Sequence, residues 1–394
     1  MKSAFVAPQG LELPTDVRKR NPRPDGTTTP RQPSDREVRQ KWGRPHVARW
    51  IVDKVPPPPE DYPLEPYGTC VAKGDGLTVA YRIDECLCKM SVAVEFDAEN
   101  AEARCKTADQ MTYIVRLYQG PEPETILVEV SRWDDCGVRF REERQRIFDT
   151  AKGYGLQDRK VPLPMQMPVL EMEGLEDLYV PISDDELKEM LEESVKQLHE
   201  PYQDSQLFVM DNLASMTDDE VTHPATAVRV AKMILGSSEL GLRDLISSLL
   251  YLPCPERKDS LGQKIRNASL QVLFNSIDVV SRDAARSKGD NVLRTLISKE
   301  HNFFSNLLIN SLRKDIESCE SSCPHNACLA AKCLTGLLSS CQKLREEVLS
   351  QEPKMDRSLR AILDEARDYG IRCHCNLEKE TERTIKELNR PIGV

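Results

Sequence analysis

From Leu77 onward the apolar positions recur every second residue: Leu77, Val79, Tyr81 and Ile83, then Cys88, Met90, Val92, Val94 and Phe96. Alternation over that length predicts strands with one buried face. Shorter apolar runs at 101–107, 113–118 and 126–130 add three strands, and a weaker one passes through Val138 and Phe140. Turn-rich pieces such as Asp97-Ala-Glu-Asn100 and Gly120-Pro-Glu-Pro123 separate them. Residues 141–152 predict a helix with Ile147, Phe148 and Ala151 on one face, ended at Gly153. One apolar sheet face needs one cover, so 71–155 reads as a small α+β domain closed by a single helix.

After a stretch at 156–182 broken by Val161-Pro-Leu-Pro-Met and Met167-Pro-Val-Leu, which predicts an extended linker, the period changes to that of a helix. Ser183-Asp-Asp-Glu186 is a capping box flanked by Ile182 and Leu187, the positions of a hydrophobic staple. The helix it opens runs to Leu198 and stops at Pro201. Pro224 suits a first turn, with Val228, Ala231, Ile234 and Leu235 as its stripe. Further stripes run through 242–250, 260–277 (opened by Ser260 and Gln263), 292–297, 303–312, 328–338, 344–349, 359–369 (closed by Gly370) and 377–388. Residues 183–394 therefore predict an all-α domain of nine to ten helices.

Internal repetition decides between a bundle and a solenoid. Pro224-Ala-Thr-Ala-Val, Asn267-Ala-Ser-Leu-Gln and Asn326-Ala-Cys-Leu-Ala superpose on Ala225, Ala268 and Ala327, giving spacings of 43 and 59 residues. The segments at 266–275 and 325–329 resemble the asparagine-alanine helix openings of armadillo repeats, and the resemblance spans roughly 183–390. It implies an armadillo- or HEAT-like helical scaffold that binds other proteins along a groove. By the same resemblance Asn275 is the groove asparagine, with Lys232 and Leu334 at the equivalent places, so partner binding is expected near Lys232 and Asn275 without an asparagine ladder. The strands at 126–130 and Gly137-Val-Arg-Phe140, just ahead of a helix, are similar to the kinase-associated C-terminal domain family over about 77–152. That resemblance implies docking on a kinase or an acidic membrane, the alternative to the scaffold reading.

Composition sharpens the ends of the chain. Residues 1–70 hold 13 of the 26 prolines, including Pro56 to Pro59, and predict a disordered tail. Within the first 50 residues the balance is +6, against −10 for the whole 394-residue chain, so a basic tail precedes an acidic body. Arg18-Lys19-Arg20 fits a nuclear-import or anionic-surface signal, and the proline run a polyproline II ligand. A net −10 argues against a nucleic-acid binder. No apolar run reaches the ~20 residues of a membrane span, and the first residues lack a signal-peptide core. A cytoplasmic or nuclear chain is expected, with its thirteen cysteines reduced.

Candidate chemistry is sparse. Cys319, Cys323, His325, Cys328 and Cys333, with Cys373, His374 and Cys375 farther on, carry zinc-ligand residue types without a standard second knuckle, so they read as core cysteines and no cofactor is expected. Gly74-Asp-Gly76 reads as a turn rather than a dinucleotide fingerprint. Asp184-Asp-Glu186 and Asp218-Asp-Glu220 read as helix starts. No catalytic constellation emerges, and a non-enzymatic scaffold or adaptor is the function expected.

Overall fold

The computed structural model of this chain describes residues 49–59, 68–71, 75–132, 137–154, 182–236, 241–251, 260–287, 292–320, 323–351 and 357–391. The Arg18-Lys19-Arg20 cluster and nearly all of the expected linker lie outside the described residues.

Five strands form one antiparallel sheet: β1 (Thr69–Val71), β2 (Ala93–Asp97), β3 (Glu102–Lys106), β4 (Thr112–Gln119) and β5 (Ile126–Arg132), in the order β1-β5-β4-β3-β2. Val94, Ala103, Cys105, Tyr113, Val115, Leu117, Val128 and Val130 point to one face and form its core. Two helices, not one, contribute to that core: α1 (Gly76–Lys89) and α2 (Gly137–Ala151), which also pack on each other. The expected strand at 77–83 is α1. Asp75 caps it by accepting from Thr78 N at 2.6 Å, so Asp75 and Gly76 enter a helix where a turn is expected, while Gly74 lies outside the described residues. The stripe that decides its structure is Val79, Ala80, Ile83, Cys86 and Leu87, whose spacing is helical. The strand expected at Val138 and Phe140 is likewise the first turn of α2.

Part of the expected tail belongs to this domain. Trp50 is fully buried and stacks on Phe96 at 5.5 Å, Val52 joins the same core, and Arg49 pairs with the buried Asp84 of α1 through Nε at 3.0 Å. Of the proline run, Pro56 accepts from Gln119 N at 2.8 Å while Pro57 to Pro59 are exposed.

The rest of the described chain is helical: α3 (Asp184–Leu198), α4 (Gln203–Met216), α5 (Pro224–Gly236), α6 (Leu242–Tyr251), α7 (Ser260–Ser287), α8 (Val292–Lys299), a π-helical turn (Phe303–Leu308) continuing into α9 (Ile309–Glu317), α10 (Pro324–Ser340), α11 (Gln342–Gln351), α12 (Leu359–Cys373) and α13 (Cys375–Leu388). The Ser183–Glu186 capping box is present in both directions. Helix α4 has no counterpart in the sequence reading, and Asp218-Asp-Glu220 lies in the turn that follows it, where Asp219 holds Arg282 at 2.8 Å. Gly370 does not end its helix. It sits inside α12, where a Cβ would lie 2.5 Å from the backbone nitrogen of Glu378 on α13.

Helices α4, α7, α10 and α13 pack side by side in that order. Asn267 donates to Asn326 at 3.0 Å and Ser281 meets Ser340 at 3.0 Å, both pairs 59 residues apart, so α7 and α10 run parallel and in register. Asn275 donates to Ala214 O at 3.0 Å across 61 residues and Arg282 reaches Asp219 across 63, which places α4 parallel to α7. Thr335 meets Thr384 at 2.8 Å between α10 and α13. The 59-residue spacing of the asparagine-alanine segments is thus a lateral neighbour relation. The 43-residue spacing is not, because α4 rather than the helix at Pro224 lies in register beside α7.

Candidate functional site

Where the sheet domain meets the helical domain, chemistry-bearing side chains from five elements and their loops converge. The α1–β2 turn supplies Ser91, the end of β3 the carbonyl of Lys106, the β3–β4 loop Gln110, the start of α10 Cys323 and His325, and the α12–α13 junction His374. Ser91 and Gln110 are held there with positive φ, 59° and 65°, a left-handed backbone that non-glycine residues adopt at a cost of ~1–2 kcal/mol.

The two imidazoles form one directed chain. Leu377 N–H donates to His374 Nδ1 at 3.0 Å, capping α13, so the ring proton of a neutral His374 is on Nε2. That Nε2–H donates to His325 Nδ1 at 3.0 Å, with Ser91 Oγ at 3.4 Å. His325 then carries its own proton on Nε2 and donates to Lys106 O at 3.0 Å. The rings meet edge to face, their planes 80° apart. His374 is fully buried and His325 nearly so, and burial holds His325 down at about 4 and His374 at about 3, the latter lowered further by His325, Arg49 and Lys332. Beside them Gln110 Nε2 donates to Cys323 Sγ at 3.5 Å.

A disulfide joins Cys88, near the end of α1, to Cys375, the first residue of α13 and the neighbour of His374, across 287 residues. The expectation of reduced thiols fails for this pair. Spacing along the chain carries no signal for a bridge between residues so far apart.

The residues suspected of binding zinc are partly gathered here, but not as a metal centre. Each neutral imidazole has one ring lone pair, and in both rings it already accepts a hydrogen bond. Burial pushes Cys319 up to about 11, Cys328 up to about 12 and Cys333 higher still, away from the thiolate that metals and electrophiles require. Among the described residues no three His, Cys, Asp or Glu side chains are placed to hold a metal ion.

Asn275 and Lys232 lie elsewhere and apart in role. Asn275 is buried, donating to Ala214 O and accepting from Gln271 at 2.6 Å, so its amide serves the α4–α7 contact. Lys232 on α5 pairs with Asp283 at 3.0 Å, and Leu334 is fully buried in α10. On the same row, Phe208 of α4 is 63% exposed, and Lys332 of α10 lies 5.0 Å over the ring of Phe274 on α7. Sequence reasoning missed Phe208 because its helix was not recognised. Among the described residues no helix is long and apolar enough to cross a membrane.

No family model matches the chain, and no curated protein matches its sequence. A crystal structure of an engineered protein aligns with 51% of this chain and 96% of that one at 14% identity, with a TM-score of 0.19, a likeness too low to carry any argument.

Proposed function

We propose that the chain is a non-enzymatic scaffold that binds other proteins on its helical half, in the manner of an armadillo-like array. The observation that supports this reading is the in-register row of α4, α7 and α10, with α13 packed on it: each of the first three is followed by two further helices, so three-helix units stack in one direction. Stacked units of this kind present continuous surfaces suited to extended partners. The exposed ring of Phe208 and the Lys332–Phe274 pair supply an aromatic and a cationic anchor on that row. His325, His374 and most described cysteines are buried in the fold, where they hold its packing rather than face a substrate.

The test uses the intact chain. Wild type and a Phe208→Ser/Lys332→Glu variant of unchanged circular dichroism and melting temperature are immobilised and exposed to lysate, and retained proteins are quantified by mass spectrometry. A set of proteins held by wild type and lost by the variant supports the reading. Identical retention by both removes it.

A further inference from the structure

The sheet domain and the helical domain each have their own apolar core, and across the boundary between them α12 packs on β2 and α13 on α1. The links there include the His325–Lys106 bond, the Ser91–His374 approach, the Gln110–Cys323 bond and the Cys88–Cys375 bridge. Only the last is covalent. Its location differs from that of most other buried sulfurs. Cys86, Cys105, Cys319, Cys328, Cys333 and Cys341 belong to one of the two apolar cores, whereas Cys88 and Cys375 belong to neither and sit beside an exposed Lys89 and a partly exposed Cys373. The bridge therefore lies just under the rim of the boundary rather than inside either core.

We infer that Cys88–Cys375 is a thiol–disulfide exchange site whose oxidised form clasps the sheet domain to the helical domain and whose reaction partner is a dithiol reductant. One thiolate of the dithiol attacks one sulfur of the bridge, forming a mixed disulfide and releasing the other cysteine, which takes up a proton. The second thiolate of the reductant displaces the remaining cysteine, which is protonated in turn. In balance, two electrons and two protons pass to Cys88 and Cys375, and the dithiol leaves as its cyclic disulfide. Each domain keeps its own core after cleavage, so the effect is confined to the boundary. The end of α1, the Ser91 turn and the start of α13 lose their tether, and the histidine chain and the packing of α13 on α1 are left to hold them.

Hydrogen–deuterium exchange on the full chain, with peptide mapping of the bridge, tests this. In air-purified protein a linked peptide pair containing Cys88 and Cys375 is expected, and dithiothreitol separates it. Exchange then rises about tenfold or more at 88–92 and 374–377 while β4 and the middle of α7 stay protected, and glutathione disulfide restores the original pattern. A Cys88→Ser/Cys375→Ser variant exchanges like the reduced protein and ignores the reductant. Free thiols at both positions before reduction, unchanged exchange after it, or a rise that spreads through β4 and α7 would each overturn the inference, the last because the bridge would then be a staple of the whole fold.

Discussion

His374 donates through Nε2–H to Nδ1 of His325 at 3.0 Å, and the two rings together connect the N-terminus of α13 to the end of β3. Every ring nitrogen in that chain has its role fixed by Leu377 N–H at one end and Lys106 O at the other. A proton added to His374 Nδ1 would face the Leu377 N–H, and one added to His325 Nδ1 would face the His374 donor. The junction therefore works only with both histidines neutral.

This fixes the sign of the pH response. Both histidines have folded values below the ordinary 6.5, so below that pH the unfolded chain binds protons that the folded chain refuses. Stability is fully present above about 6.5 and falls as pH drops toward about 4, by ~2–3 kcal/mol per histidine at pH 4.5. His374→Asn, which keeps a cap acceptor for Leu377, is expected to roughly halve this loss in urea titrations run from pH 7.5 to 4.5. A slope equal to wild type would remove His374 from the account.

Asp315 acts in the opposite direction. Burial lifts it to about 6 even though Arg266 donates to it at 2.7 Å, so the folded chain holds a proton between about 4 and 6 that the unfolded chain has released. Its contribution declines as pH rises through that window. The stability of Asp315→Asn relative to wild type is expected to improve from pH 4 to pH 7, by up to ~3 kcal/mol. Denaturant midpoints at the two pH values check this, and a difference that moves against the variant contradicts it.

The left-handed backbone at Gln110 separates strain from contact. Gln110→Ala loses the bond to Cys323 and keeps the strain, whereas Gln110→Gly loses the bond and relieves it. The glycine variant is expected to be more stable than the alanine variant by ~1 kcal/mol. Equal melting temperatures would show that the loop relaxes without help.

Gly370 reports on how closely α12 and α13 approach. In an ordinary helix interior Gly→Ala stabilises by ~1 kcal/mol. Here the added methyl meets the Glu378 backbone, and Gly370→Ala is expected to cost ~2 kcal/mol or more in thermal unfolding.

The helical half was legible where local chemistry decides the outcome. Ser183 and Glu186 close a capping box within four residues, and Pro224 opens α5 as its missing N–H allows. The reading failed where two periods coincide. Leu77, Val79, Tyr81 and Ile83 alternate, but Leu77 is exposed, and the buried set continues to Cys86 and Leu87 on a helical face. Trp50 was assigned to the tail because the prolines around it carry no core signal, although its ring fills the space over Phe96. The site itself was only half visible. His325 and His374 stood out as residue types, but their pairing and the Cys88–Cys375 bridge join positions 49 and 287 residues apart, and only tertiary packing fixes such relations.

If the row of helices binds partners while the junction of histidines and cysteines holds the two domains together, the two roles separate by mutation. Parallel capture with three full-length baits separates them: wild type, the Phe208→Ser/Lys332→Glu variant and the Cys88→Ser/Cys375→Ser variant. The wild-type set of retained proteins is expected to be lost by the first variant and kept by the second. Retention by the row variant with loss by the cysteine variant would contradict this, placing the binding surface at the junction instead.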